Sequence, residues 1–330
     1  MLKAIYLLSD FAYDVIYGAP EREAISNLVE IYAPQQTKES IQTNPKILHE
    51  AEIILSGWGM ATLDEAFLGQ VPNLKAIFYG AGTLRDLVTE AFWHSGITIT
   101  SSYAANAVPV TEYTLSQILF SLKRGWQYAL QIKERQQYVE KVPTIGNYDS
   151  TVGLVSLGMI GRGVVERLKP FDHHIIAYDP FVTVDEGQAL GVEMCSLEQV
   201  FAQADVVSLH TPWTPETVGL ITGDLIGSMK PNGTLINTAR GAIVNEPEMI
   251  AVLKNRPDLF AILDVTYPEP PEVGSQLYNL PNVILTPHIA GSHNQECRRM
   301  GKIVVDQLQK FINGEPLEWA ITEAQAKIMA

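Results

Sequence analysis

Val152-Gly153-Leu154-Val155-Ser156-Leu157-Gly158-Met159-Ile160-Gly161-Arg162-Gly163 decides the fold class. A short apolar run rich in β-branched residues passes into a glycine-spaced turn, and a helical pattern follows. The spacing approximates G-x-G-x-x-G, with Ser156 in the first position and Gly158 and Gly161 in the second and third. The second glycine lets backbone approach a pyrophosphate. The third lets the helix pack tightly on the strand, and the helix N-terminus offers free N–H groups to the anion. A serine in the first position is small enough for the turn and places a hydroxyl near the phosphates. Alone, the pattern also fits a plain tight turn. The next strand pattern ends at Asp179, 21 residues after Gly158, where a carboxylate accepts hydrogen bonds from adenosine ribose hydroxyls. Pro180 and Phe181 follow, with no adjacent cation for a 2′-phosphate, which favours NAD over NADP.

Outward from this turn, strand patterns recur at His174–Tyr178, Val206–Leu209, Thr234–Asn237, Phe260–Asp264 and Val283–Leu285, with helical patterns between several of them. Six such strands predict a doubly wound Rossmann-type domain. The N-terminal third repeats the rhythm. Strands are expected at Lys3–Leu8, Glu52–Leu55, Lys75–Phe78 and Thr98–Thr100, and helices at Glu21–Val29 and Asp86–His94. The pattern changes near Ser101–Val108. Val110–Lys123 then carries apolar residues at helical spacing, and the helix is expected to run past Arg124-Gly125 towards Tyr138. Its broad apolar coverage points to burial, either in the core or against a second subunit. After Gly291 a helix over Gln295–Ile312 and a docked tail complete the chain.

The 330 residues are long enough for two domains and for a sizeable core without disulfides. Cys195 and Cys297 stand far apart with no metal-ligand spacing, so neither a disulfide framework nor a metal site is expected. The start lacks signal-peptide character and no apolar run is long enough to span a membrane, so a cytoplasmic protein is expected. The formal charge of −14 and the lack of a Lys/Arg cluster disfavour nucleic acid and anionic membranes as partners. An anionic substrate would need a local cation working against the overall field.

Three polar residues follow the later strands, where open α/β sheets hold their ligands: Arg240, Glu269 and His288. Each alone has an ordinary reading, as a surface ion pair, a loop charge between prolines, or a buried histidine. The histidines at 49, 94, 173, 174, 210 and 293 are given that ordinary reading. Together the three form a chemical set. Reduction of a 2-oxo acid by a dihydronicotinamide needs a fixed cation for the carboxylate and carbonyl, which the Arg240 fork offers. It needs a proton donor that titrates near neutrality, such as His288. It needs a carboxylate that orients the histidine and stabilises its charged form, such as Glu269.

With these residues in place, the chain resembles the D-isomer-specific 2-hydroxyacid dehydrogenases over nearly its whole length. The resemblance is carried by Val152–Gly161, Tyr178-Asp179-Pro180, Leu209-His210-Thr211-Pro212, Thr214-Pro215-Glu216-Thr217, Asn237–Gly241, Leu263–Pro270 and Thr286–Gly291. It implies an α/β protein of two Rossmann/flavodoxin-like parallel-sheet domains with an active-site cleft between them. The substrate domain would span 1–101, completed by 291–330, and the NAD-binding domain 102–290, with hinges near 101–106 and 290. It implies His288 as acid/base, Glu269 as its partner and Arg240 as carboxylate and carbonyl ligand. Asp264 would lie near the nicotinamide, and Met159 and Ile160 over the pyrophosphate. Thr211, Pro212, Thr217, Thr238, Ala239 and Gly291 would line the cofactor.

The substrate loop of that family has a counterpart in Tyr79-Gly80-Ala81-Gly82-Thr83, where Gly80, Ala81 and Gly82 would present N–H groups to the substrate carboxylate. After it, Leu84-Arg85-Asp86-Leu87 replaces the common Asp-Asn-Ile-Asp run, which together with Ser156 sets the chain apart from the commonest branches. Arg85 either meets a second anionic group or is solvated. Trp58 and Met60, after another strand, either shape the side-chain pocket or pack in the core. Glu269 argues against the formate dehydrogenases, which carry glutamine there, and the chain is shorter than phosphoglycerate dehydrogenases with a regulatory domain. The expected partner is a small 2-hydroxy or 2-oxo acid, in a homodimer. The alternative is an NAD(H)-sensing, corepressor-like binding protein with little turnover.

Overall fold

The structure, a computed structural model, describes residues 1–329. The chain forms two compact units: Met1–Asn106 with Ser292–Met329, and Ala107–Gly291. The first crossing lies five residues beyond the expected one, because the first turn of the helix Tyr103–Leu122 is tied into the first unit. There Ser102 Oγ donates to the Met300 carbonyl, and the Ser292 N–H donates to Asn106 Oδ1.

The first unit holds β1 (Lys3–Leu7), β2 (Glu30–Ile31), β3 (Ile53–Ser56), β4 (Ala76–Tyr79) and β5 (Thr98–Ser101). They form one parallel sheet in the order β2-β1-β3-β4-β5. Both faces are covered, so the strands read as continuous apolar runs rather than alternating ones. In β1, Ile5 and Leu7 enter one core cluster while Ala4 and Tyr6 enter the other. The C-terminal segment closes both faces. Met300, Val304 and Leu308 of the helix Arg298–Asn313 complete one cluster, and Ile321 and Ala326 complete the other.

The second unit holds β6 (Ser150–Val155), β7 (His173–Tyr178), β8 (Glu193–Met194), β9 (Val206–Leu209), β10 (Thr234–Asn237), β11 (Phe260–Leu263) and β12 (Val283–Leu285). All run parallel, in the order β12-β11-β10-β9-β6-β7-β8. The order reverses between β6 and β9, which is the switch point where such sheets open a ligand crevice. Strand β8 adds a seventh strand to the six expected.

Two helices depart from expectation. The helix expected at Asp86–His94 spans only Glu90–His94; Thr89 caps it by accepting from the Phe92 N–H, Arg85–Leu87 form a turn, and Val88 bridges to Leu63. The helix expected to run towards Tyr138 starts earlier, at Tyr103, and stops at Leu122. Arg124 is left-handed at φ 54°, and a second helix, Gly125–Arg135, starts after it. One left-handed residue breaks the i→i−4 ladder while leaving the apolar spacing almost unchanged.

Candidate active site

The nucleotide turn is built at the end of β6. Ser156, in the first-glycine position, has a φ of 79°, the left-handed conformation that normally selects glycine. Its hydroxyl is paired with Thr211 Oγ at 3.0 Å, which joins the β6 and β9 loops across the switch point. The two later glycines do different work. A Cβ on Gly161 would lie 2.2 Å from the Ser156 carbonyl oxygen, so this glycine is required for packing within the turn. A Cβ on Gly158 would meet no protein atom within 4 Å, so the space in front of Gly158 is open. Gly158 is the N-cap of the helix Met159–Leu168, which places Met159 and Ile160 in its first turn.

Asp179 holds this turn. Its two carboxylate oxygens accept from the N–H groups of Leu157 at 2.7 Å and Phe181 at 2.8 Å. Each oxygen keeps a second lone pair for a ribose hydroxyl. Thr217 has a local role: its hydroxyl donates to the Pro212 carbonyl at 2.7 Å and accepts from the Thr214 N–H, closing the loop after β9. Thr238 pairs with Thr114 of the long helix at 3.1 Å.

Arg240, Glu269 and His288 follow β10, β11 and β12, three strands hydrogen-bonded side by side in register. Buried Asn237 shapes the Arg240 turn: its Nδ2 donates to the Arg240 carbonyl at 2.9 Å, and its Oδ1 accepts from the Ala239 N–H at 3.0 Å. A Cβ on Gly241 would lie 1.9 Å from the Thr266 carbonyl carbon, so the Arg240 turn lies directly against the β11 loop. His288 Nδ1 lies 2.7 Å from Glu269 Oε1, and both side chains are nearly half exposed. The carboxylate fixes the ring so that Nδ1 carries a proton and Nε2 is left for chemistry.

His288 itself has a φ of 53°. Asp264, 1% exposed, enforces this. Its carboxylate accepts from Thr286 Oγ at 2.5 Å, the Ile289 N–H at 2.9 Å and the Ala290 N–H at 2.8 Å, and its carbonyl accepts from the His288 N–H. Both oxygens of Asp264 are therefore engaged by the loop that ends at Gly291. The sequence gives no direct sign of two further features. Tyr113 of the long helix bonds to Thr286 at 3.0 Å. Trp213, after β9, and Tyr267, after β11, meet edge-on with ring centroids 5.3 Å apart.

His210, expected to pack ordinarily, is 8% exposed at the end of β9, and neither ring nitrogen has a hydrogen-bond partner. Burial pushes its pKa down to about 4. Because the folded form resists protonation, its contribution is complete above the free value of about 6.5 and is lost as the pH falls towards 4, a difference of roughly 3 kcal/mol. His210→Gln should accordingly weaken the fall in urea midpoint between pH 6.5 and 4. An equal fall in both proteins would refute the assignment.

Residues 115–290 match the sequence model of the D-isomer specific 2-hydroxyacid dehydrogenase, NAD binding domain. The chain belongs to this family. Among its curated relatives, a D-3-phosphoglycerate dehydrogenase of Archaeoglobus fulgidus is 29% identical over 89% of this chain and 55% of the relative. An (S)-sulfolactate dehydrogenase of Chromohalobacter salexigens is 34% identical over 79% of this chain and 88% of the relative. The chain spans about half the length of the phosphoglycerate dehydrogenases it matches. In three dimensions it resembles a D-isomer specific 2-hydroxyacid dehydrogenase of Lactobacillus delbrueckii, solved in its NAD-complexed form. The TM-score is 0.79, with 22% identity over 97% of this chain and 100% of the other, a likeness of fold. As a family member the chain takes NAD, and the open space before Gly158 and the free lone pairs of Asp179 suit a dinucleotide. Among the described residues, no group of His, Cys, Asp and Glu is placed to hold a metal ion, and no helix is long and apolar enough to cross a membrane.

Proposed function

We propose that this chain is an NAD-dependent dehydrogenase that interconverts a D-2-hydroxy acid and its 2-oxo acid. The observation that carries this reading is the His288–Glu269 pair beside the Arg240 turn, at the ligand-binding end of the NAD-binding sheet. The nicotinamide, when bound, supplies or accepts the hydride. The protein does the rest. The Arg240 guanidinium binds the carboxylate and polarises the carbonyl. His288 Nε2 gives a proton to the developing alkoxide during reduction and removes it during oxidation, while Glu269 keeps the ring oriented. Thr211, Pro212, Thr238 and Ala239 line the cofactor. The Gly80–Gly82 loop adds backbone N–H groups for the substrate carboxylate. The Gly80 N–H already donates to the Ser56 carbonyl at 2.8 Å, so Ala81 and Gly82 are the donors there.

The side-chain pocket belongs to the first unit. β3 and β4 pair in register through Ser56 and Tyr79, so Trp58 and Met60 follow the strand beside the substrate loop. The Ser9 N–H donates to the Trp58 carbonyl at 2.9 Å and pins that turn. Residues 53–62 and 76–84 contain no cation, and exposed Arg85 is the first to follow. This favours an acid with an uncharged, apolar side chain over one with a second anionic group.

NADH oxidation across a panel of 2-oxo acids tests both statements. Phenylpyruvate or 4-methyl-2-oxopentanoate should be reduced with a kcat/KM at least about tenfold above those of 3-phosphohydroxypyruvate and 3-sulfopyruvate. The reverse preference would overturn the pocket assignment. NADH binding with no oxidation by any acid would overturn the enzyme and favour a dinucleotide-sensing binding protein. Phe120, Leu130, Val142 and Ile145, on and after the helices Tyr103–Leu122 and Gly125–Arg135, are exposed apolar side chains that a second copy would cover, so the same preparation should sediment with the mass of two chains.

A further inference from the structure

Thr286 has a single hydroxyl proton, and the 2.5 Å contact to Asp264 Oδ1 uses it. The Tyr113 hydroxyl must therefore donate to Thr286 Oγ across their 3.0 Å contact. Burial pushes the Tyr113 phenol above its ordinary value, so it keeps the proton it donates. The resulting chain has one direction: Tyr113 to Thr286 to Asp264, and from Asp264 to the N–H groups of Ile289 and Ala290. It ends on the two residues after His288, the left-handed residue of that loop. A left-handed conformation at a non-glycine persists only where its surroundings impose it.

We propose that Tyr113 is a positioning residue for the acid/base step, acting on His288 through Thr286 and Asp264. This rests on the assignment of His288 above. Tyr113 touches no reacting group. Its hydroxyl fixes the Thr286 rotor, the rotor completes the Asp264 donor set, and Asp264 holds the His288 backbone so that the ring meets Glu269. A buried carboxylate with a full donor set resists rearrangement, whereas one missing donor leaves the loop alternative conformations.

The test uses the full chain with Tyr113→Phe, Thr286→Val, Thr286→Ser and the double variant Y113F/T286V. Y113F should lower kcat roughly fivefold and T286V about tenfold, while Y113F stays folded with only the small fall in unfolding midpoint that the loss of one hydrogen bond brings. T286S, which keeps the hydroxyl, should restore wild-type kcat. Because the groups act in series, the double variant should be no slower than T286V alone. Hydrogen exchange supplies a readout free of turnover: the Ile289 and Ala290 amides should exchange faster in Y113F and T286V than in the wild type. Multiplicative losses in kcat, or unchanged exchange at both amides, would overturn the proposal. A wild-type protein that reduces no oxo acid would sink the functional reading, and the exchange measurement would still decide the relay.

Discussion

His288→Ala should lower the turnover of 2-oxo acid reduction by about 10²- to 10⁴-fold while the protein still binds NADH. Removing a positioned general acid has effects of that order. The cofactor turn is built at the other side of the same sheet, from Ser156, Gly158, Gly161 and Asp179, and none of its hydrogen bonds involves His288. Glu269→Gln should cost less, about tenfold, because it removes the charge behind Nδ1 and leaves the imidazole in place. The ordering matters as much as the size. If Glu269 acted on substrate and His288 were its orienter, E269Q would be the more damaging change. Steady-state kinetics on the best acid of the panel, together with NADH titration by fluorescence, separates these cases. Turnover of H288A within tenfold of wild type would contradict the assigned role.

The second large effect separates two glycines of the same turn. Gly161→Ala should destabilise the protein by about 3 kcal/mol or more, because its Cβ would sit 2.2 Å from the Ser156 carbonyl oxygen and the turn must distort. Gly158→Ala should leave stability within about 0.5 kcal/mol, as its φ of −70° suits any residue and no protein atom lies within 4 Å of the new methyl. The same G158A change should weaken NADH at least tenfold, since the open space before Gly158 is where a pyrophosphate approaches the helix N-terminus. Urea denaturation and NADH titration of both variants make the test. Wild-type NADH affinity in G158A would mean that the dinucleotide does not approach there.

Much of this was legible in the sequence because both sheets are covered on both faces. Four- to six-residue apolar runs such as Ile53–Ser56 and Thr234–Asn237 stand out between polar helices, and the bounds they suggest lie within a residue or two of the observed ones. The two-residue strands β2 and β8 escaped because they are too short to carry periodicity. The break at Arg124 escaped because it turns on one backbone conformation rather than on composition. In the site, Arg240, Glu269 and His288 were visible as polar residues after strands. Their supports were hidden for a different reason. Tyr113 and Thr286 meet across 173 residues of chain, and Ser156 and Thr211 across 55, so only the fold brings them together. The resemblance implies Asp264 beside the nicotinamide, and in the structure both of its oxygens are engaged in the His288 loop.

The most direct test of the central claim follows one atom. NADH carrying deuterium at the transferable C4 position is incubated with the preferred 2-oxo acid, and the product is analysed by mass and on a chiral column. The account predicts one deuterium at C2 of a D-2-hydroxy acid with the wild-type protein, and a rate of label transfer reduced at least about 100-fold by H288A. Oxidation of NADH with no label at C2, an L product, or unaltered transfer in H288A would contradict it.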